Sequence, residues 1–371
     1  MRSSSRVQKL LFLAFAIALS VQPAPAQTGR LPAATRAKVD DAVARFMART
    51  SAPGVAVAVV LDGEFTWAAG YGLADLENQV PVTPATLFRL ASVSKPITAV
   101  AAMELWEQGK VDLDAPIQKY CPAFPDKGAP ITTRELLGHL GGIRHYRDGK
   151  EGDAEVNNTI HFGDPIAGGL SFFKDDPLVY PPGTHFRYST QRYTLVGCAV
   201  AAAAGEPYAD FVRQRVFAPA GMTETQVDDR FAVIPHRTQF YQKDPSGKVI
   251  NAEFLDSSYK IPGGGWLSSA SDMARFEVAL LAGTLVKPAT LALMSTPLKP
   301  FDGFHSYGLG FFADKLDGLD TISHSGGQQG TSTDILLIPG RRAGIVVLIN
   351  IEHEGASDLA VELGKIVLAS Q

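Results

Sequence analysis

Between Ile97 and Leu105 only Thr98 and Glu104 are polar. A helix that is apolar on every side has no face to give to water, so it must run through the middle of a domain. The run is too short to span a bilayer. A chain of 371 residues, 46% hydrophobic and 19% charged, is long enough to surround it without disulfides or a structural metal. The helix is entered through Ser92-Val93-Ser94-Lys95. Ser92 and Lys95 stand at i and i+3 and share a helix face. A serine hydroxyl is a weak nucleophile until a base takes its proton. A lysine serves as that base only when neutral, so its reference pKa of about 10.4 must be lowered by burial or nearby positive charge. The apolar helix offers the burial. Taken alone, the same four residues are also an ordinary helix start with a capping serine. Ser94 is a rival hydroxyl, but it adjoins Lys95 and points to another side of the helix.

The N-terminus carries Arg2, Arg6 and Lys9, then the apolar run Leu10–Val21, then Ala24-Pro25-Ala26. This is the pattern of a secretory signal peptide cut after Ala26, which places the mature chain, 27–371, in the periplasm or outside the cell. No cysteine near the cut suggests a lipid anchor, and no later segment is long and apolar enough to span a membrane. The formal net charge is −4, without a Lys/Arg run or a basic-aromatic stripe, so nucleic acid is not an expected partner. Cys121 lies in a Pro-rich loop and Cys198 in an apolar run, and they are expected to be two isolated thiols. No Cys/His spacing for zinc occurs, and neither metal nor cofactor is called for.

Thr35 is expected to cap a helix through about Arg49, with Val39, Val43, Phe46 and Met47 on its inner face. Gly54–Leu61 and Glu64–Tyr71 read as a hairpin around Asp62-Gly63. Thr133–His139 and Tyr193–Ala204 are helix-like. Ser271 is expected to cap a helix bearing Met273, Phe276 and Leu280. Tyr307–Phe312, Ser332–Ile338 and Ala343–Asn350 read as strands, the last two joined by a turn at Pro339–Arg342. Ser357–Ala369 reads as a closing helix. The expected fold is α/β: an antiparallel sheet flanked by helices and built from both chain ends (27–110 and 263–371). A mainly helical subdomain, 111–262, is inserted, with a ligand cleft at the junction.

Two further segments carry chemistry. In Tyr188-Ser189-Thr190 a phenol is available to relay a proton, although an isolated tyrosine is as readily a packing residue. In His324-Ser325-Gly326-Gly327, placed just before a strand, glycines would admit a substrate backbone. Such an edge can pair with a peptide-like ligand. The N–H groups of Ser92 and Gly327 would form an oxyanion hole. The plain alternative is a Gly-rich turn with an exposed histidine.

Taken in order, these segments resemble the serine β-lactamase and penicillin-binding protein family, in its class C-like branch of D-peptidases, esterases and β-lactamases. Phe88–Ala99 (FRLASVSKPITA) looks like its nucleophile segment, Ile131–Tyr146 like its ITxRxLLxHxSGI stretch, and Pro181–Gly197 like its tyrosine segment. Gly263–Phe276 and His324–Gly340 complete the set. The GIRHY, YST and His-x-Gly-Gly runs look most like the mitochondrial serine β-lactamase-like proteins of animals and their bacterial relatives. The resemblance implies that Ser92 is acylated and that Lys95 and Tyr188 share base and acid duties. It makes Gly327 N–H the second oxyanion donor and sets His324, Gly326 and Thr190 against the substrate. Thr190 replaces the asparagine of Tyr-x-Asn, losing an amide that contacts the substrate and the lysine. His324 replaces a lysine and is mostly neutral at pH 7. Both departures favour a peptidase or esterase over an efficient β-lactamase; the other alternative is a catalytically weak scaffold or binding protein of the same fold. The expected substrate is a small molecule or peptide. His139 and His145 are expected to pack beneath the cleft, Arg89, Asp272 and Arg275 to make structural pairs or caps, and Trp266 and Tyr307 either to line the cleft or, as is the default for aromatics, to pack in the core.

Overall fold

The computed structural model describes residues 30–300 and 306–370. The positive start, apolar run and cleavage site read near the N-terminus lie outside the described residues. Seven strands form one antiparallel sheet: β1 (Gly54–Leu61), β2 (Glu64–Asp75), β3 (Val80–Pro81), β4 (Phe312–Leu316), β5 (Leu319–Gln328), β6 (Thr331–Ile338) and β7 (Ala343–Ile349), in the order β3-β2-β1-β7-β6-β5-β4. The two ends of the chain meet where β1 pairs with β7, Val57 opposite Val347.

Both faces of the sheet are covered. Val55, Val57 and Val59 join Ile345 and Val347 beneath helices α1 (Ala33–Thr50) and α5 (Ala356–Leu368). Ala56, Ala58 and Val60 turn the other way, toward α4 (Ala270–Leu281) and the central helix α2 (Ser94–Glu107). The small residues on that face let α4 approach closely. A strand buried on both faces reads as an unbroken apolar run, as GVAVAVVL does.

Every residue of α2 from Ser94 to Leu105 is buried, as its composition demands. Its two polar interior residues each find a partner, although Glu104 Oε2 is left without one. Thr98 Oγ1 donates to Pro262 O at 2.6 Å, and Glu104 accepts from Arg215 Nε at 2.7 Å. Helix α3 (Gln191–Ala204) packs alongside α2. Among the described residues no single helix is long and apolar enough to cross a membrane.

Four local expectations are corrected. Helix α1 begins at Ala33 behind Pro32, with no side-chain cap. Leu31, buried just before it, pins the entry and leaves Thr35 inside the first turn. Helix α4 is capped by Ser269, whose Oγ accepts from Asp272 N at 3.1 Å, whereas Ser271 Oγ donates to Pro84 O. Tyr307 makes only an isolated bridge to Phe312, where β4 starts. The histidine-glycine run lies inside β5 rather than before a strand. Its propensity is poor, but pairing with β6 and a tight turn at Asp317-Gly318, both at positive φ, hold it extended.

Cys121 and Cys198 form a disulfide, their Cα atoms 5.7 Å apart, and are not isolated thiols. Their 77-residue separation conceals the approach, since only the packing of α3 against the loop after Ile117–Lys119 brings them within bonding range.

Candidate active site

Ser92 is presented by a tight passage from strand to helix. The strand Phe88–Arg89 pairs with Trp266–Ser268, and Leu90 N donates to Trp266 O at 2.9 Å. Ala91 then takes a left-handed conformation (φ 48°), a 3-10 turn spans Ala91–Val93, and α2 follows. Ala91 and Val93 are buried, while Ser92 between them is half-exposed to a cavity of about 370 Å³. A left-handed alanine costs about 1–2 kcal/mol, a strain located beside the Ser92 hydroxyl at the cleft.

Lys95 lies one turn on and is fully buried. Its Nζ stands 2.9 Å from Ser92 Oγ, 2.8 Å from Gly263 O and 3.3 Å from Thr190 Oγ1. Burial, reinforced by the charge of Lys260, holds its pKa well below the ordinary lysine range. A neutral amine in contact with a serine hydroxyl is a competent base.

The loop ahead of α3 brings in Tyr188. Its half-buried ring lies 4.9 Å from Lys95 Nζ, and its hydroxyl is hydrogen-bonded to Ser92. Burial raises its pKa strongly, and the Ser92 contact offsets only part of that, so the phenol keeps its proton. Two histidines hold this loop by the backbone. Ser189 N donates to His139 Nδ1 at 3.3 Å, and Thr190 N donates to His145 Nδ1 at 3.1 Å. Burial, with nearby cations, drives the His139 pKa far down and that of His145 to about 3. Both are neutral rings positioning a backbone.

The opposite wall is the end of β5. Its partner β4 pairs only as far as Ser323, so Ser325 and Gly327 line the cavity on an unpaired edge. A side chain at Gly326 would meet Leu90 O at 2.4 Å and Ser92 N at 3.0 Å, so only glycine lets this strand close on the nucleophile. Around Gly327 the corresponding space is open. His324 is fully buried, with Nδ1 2.7 Å from Ser325 O and Nε2 3.0 Å from Tyr307 OH. Burial brings its pKa to about 3, so it is neutral.

Known proteins share this arrangement in sequence and fold. The family described as Beta-lactamase matches residues 39–366. The chain belongs to the beta-lactamase family. It is a serine hydrolase of that family. The human mitochondrial serine beta-lactamase-like protein LACTB is 31% identical over 390 aligned residues, covering 81% of this chain and 71% of the relative. Penicillin-binding protein 4* of Bacillus subtilis is 29% identical, covering 81% and 68%. Among solved structures, the D-amino acid amidase of Ochrobactrum anthropi SV3 superposes with a TM-score of 0.79 at 24% identity, covering 91% and 99% of the two chains, and so shares the fold.

Against that family pattern, Ser92, Lys95, Tyr188, Thr190, His324 and Gly327 converge on one cavity. One expectation changes: Thr190 does not lose the lysine contact, because its hydroxyl reaches Lys95 where an amide was expected. His139 packs behind Tyr188, ring centroids 4.4 Å apart, but His145 lines the cleft itself. Arg89 pairs with Asp228 at 2.7 Å and Asp272 with Arg275 at 2.7 Å, both away from the nucleophile. Trp266 packs edge-on against Phe217 and is not a cleft residue. Tyr307 does not line the cavity but is hydrogen-bonded to His324, which does. Lys260, also in the cleft, went unread in the sequence because SYKIP has no recognisable pattern. Among the described residues no cluster of His, Cys, Asp or Glu is placed to hold a metal ion.

Proposed function

We propose that the mature protein is an exported hydrolase that cleaves an ester or amide through an acyl-enzyme on Ser92. The observation that carries this is the buried Lys95 Nζ, 2.9 Å from Ser92 Oγ, with its pKa held well below the ordinary lysine range by burial. Lys95 takes the Ser92 proton as Oγ attacks the carbonyl carbon. The negative oxygen is received by the N–H groups of Ser92 and Gly327. Tyr188, still protonated, gives its proton to the departing amine or alkoxide and recovers one from Lys95. Water then attacks the ester by the reverse proton path and frees Ser92.

The opposite pKa directions of Lys95 and Tyr188 divide the labour, making the amine the base and the phenol the acid. The neutral His324 leaves no fixed charge at the position where the resemblance expects a lysine, which favours peptidase or esterase work over β-lactam hydrolysis. A fluorophosphonate probe should label Ser92, and Ser92→Ala should abolish the label; labelling that persists would defeat the assignment. Rapid turnover of a chromogenic cephalosporin would reverse the substrate ranking. A scaffold role would require large assemblies without labelling, and the connected Ser92–Lys95–Tyr188 set argues against it.

Export rests on the N-terminal pattern and on the Cys121–Cys198 pair, which fits an oxidising compartment. Sequencing the N-terminus of the protein recovered from its native cell should begin at Gln27; a chain starting at Met1 would overturn export.

A further inference from the structure

The cleft holds a second buried lysine in a very different state. Lys260 is 3% exposed, ends the turn Ser258–Lys260, and lines the same cavity as Ser92. Among the described residues its ammonium has no hydrogen-bond acceptor and no ion-pair partner, and the Tyr259 ring lies 5.4 Å away. Asp228, the acid that bears on its charge, is already engaged by Arg89 at 2.7 Å and by Arg237 at 3.6 Å. Beside it stands Gln328, at the free end of β5, whose buried Nε2 also has no acceptor. The two side chains converge over Gly264: a Cβ there would lie 3.7 Å from Lys260 Cδ and 3.5 Å from Gln328 Oε1. No acidic residue lines the cavity among the described residues.

The Lys260 side chain is buried and its ammonium, open only to the cavity, has no fixed acceptor, an arrangement that a ligand in the cavity would complete. The ammonium is a donor, so the missing partner is an acceptor, and beside an ammonium a negatively charged one. We propose that Lys260 receives a carboxylate on the substrate, so that the hydrolase reading on which this rests applies to carboxylate-bearing esters or amides and not to substrates presenting a free amine here. This charge comes from a different element than His324, and it separates recognition from the position at which the family resemblance expected a lysine.

The test compares mono-p-nitrophenyl glutarate with p-nitrophenyl valerate, of similar length but without the charge, on the full mature chain. At pH 6 the wild type should favour the glutarate in kcat/KM by about tenfold to a hundredfold, the range for hydrogen bonds to charged groups. Lys260→Met should bring the ratio near one, and Lys260→Arg should retain most of it. Lys260 also helps to hold the Lys95 pKa down, but that effect is common to both esters and cancels in the ratio. Lys260 faces Arg89, Asp228, Lys95, His145 and Tyr259; burial and Arg89 lower its pKa to about 7, against a smaller opposing pull from Asp228. The preference should therefore fade as the pH rises above that value and the ammonium is lost, which a merely structural lysine would not produce.

A wild-type ratio at or below one, or a Lys260→Met ratio equal to the wild type, overturns the proposal. Glutarate binding to Ser92→Ala, measured by calorimetry with and without Lys260→Met, decides it independently of turnover: binding lost with Lys260→Met supports the receptor, whereas no binding, or binding unchanged, refutes it. If Ser92 takes no fluorophosphonate label, the hydrolase reading fails on its own, and the calorimetry still settles the receptor.

Discussion

Two corners of one cleft treat a buried lysine in opposite ways. At the Ser92 corner, Lys95 is enclosed by Ser92, Thr190 and the Gly263 carbonyl, and burial strips its charge. At the Gly264 corner, Lys260 is as deeply buried but has no partner among the described residues, with a pKa of about 7. The first corner is complete without a ligand, as a site prepared for proton transfer must be. The second is incomplete until something negative arrives. Burial lowers the pKa of both lysines; what differs is that Lys95 has acceptors in place and Lys260 has none among the described residues.

The sharpest way to break the comparison is to remove the first corner. Ser92→Ala should lower kcat/KM by about ten-thousandfold or more, and Lys95→Met by a comparable factor, since groups that act as a unit fail together. Tyr188→Phe should cost about a hundredfold, within the range for a general acid; steady-state kinetics on p-nitrophenyl esters reads all three. The acid limb of kcat/KM should lie well below the ordinary lysine range, because only neutral Lys95 accepts a proton and its pKa is lowered. A limb near about 10 would mean a normally charged Lys95. Lys260→Met should move that limb upward, because a positive charge that holds Lys95 down is removed; an unmoved limb would mean that the corners do not communicate.

Positioning residues give smaller effects. His145→Leu removes the acceptor of Thr190 N and should lower kcat about tenfold with KM little changed, while His145→Asn, whose carbonyl can accept the same N–H, should restore most of it. The smallest effect on turnover belongs to the disulfide. Cys121→Ser should reduce unfolding stability by about 4 kcal/mol for a loop of this length, measured by denaturant titration. The rate of Ser92 labelling in the folded protein should stay the same.

Much of the sheet was legible because its strands are apolar in ways that leave few choices. GVAVAVVL and GIVVLIN can only be buried, and Asp62-Gly63 can only turn. The strand β5 was not legible. LDTISHSGGQ is polar and glycine-rich, and it is extended because β6 pairs along its length and β4 along its first half. Helix starts were misread by three residues at Thr35, where Leu31 and Pro32 set the entry without a side-chain cap, and by two at Ser271, where neighbouring hydroxyls are chemically equivalent caps until packing selects one.

The order of Ser92-x-x-Lys95, Tyr188 and the His324 run was enough to name the nucleophile and its candidate partners, since side-chain chemistry and i,i+3 spacing are local properties. The central helix was likewise determined by composition, because nine consecutive positions with two polar residues leave no surface for water. Only the tertiary structure decided that Cys121 meets Cys198, that Thr190 keeps hold of Lys95, that His145 reaches the cleft, and that Lys260 stands there without a partner. Each of these depends on residues 45 or more positions apart in the chain coming together or failing to do so. Burial, which sets the proton affinity of both lysines, is a property of the whole fold and belongs to no single segment.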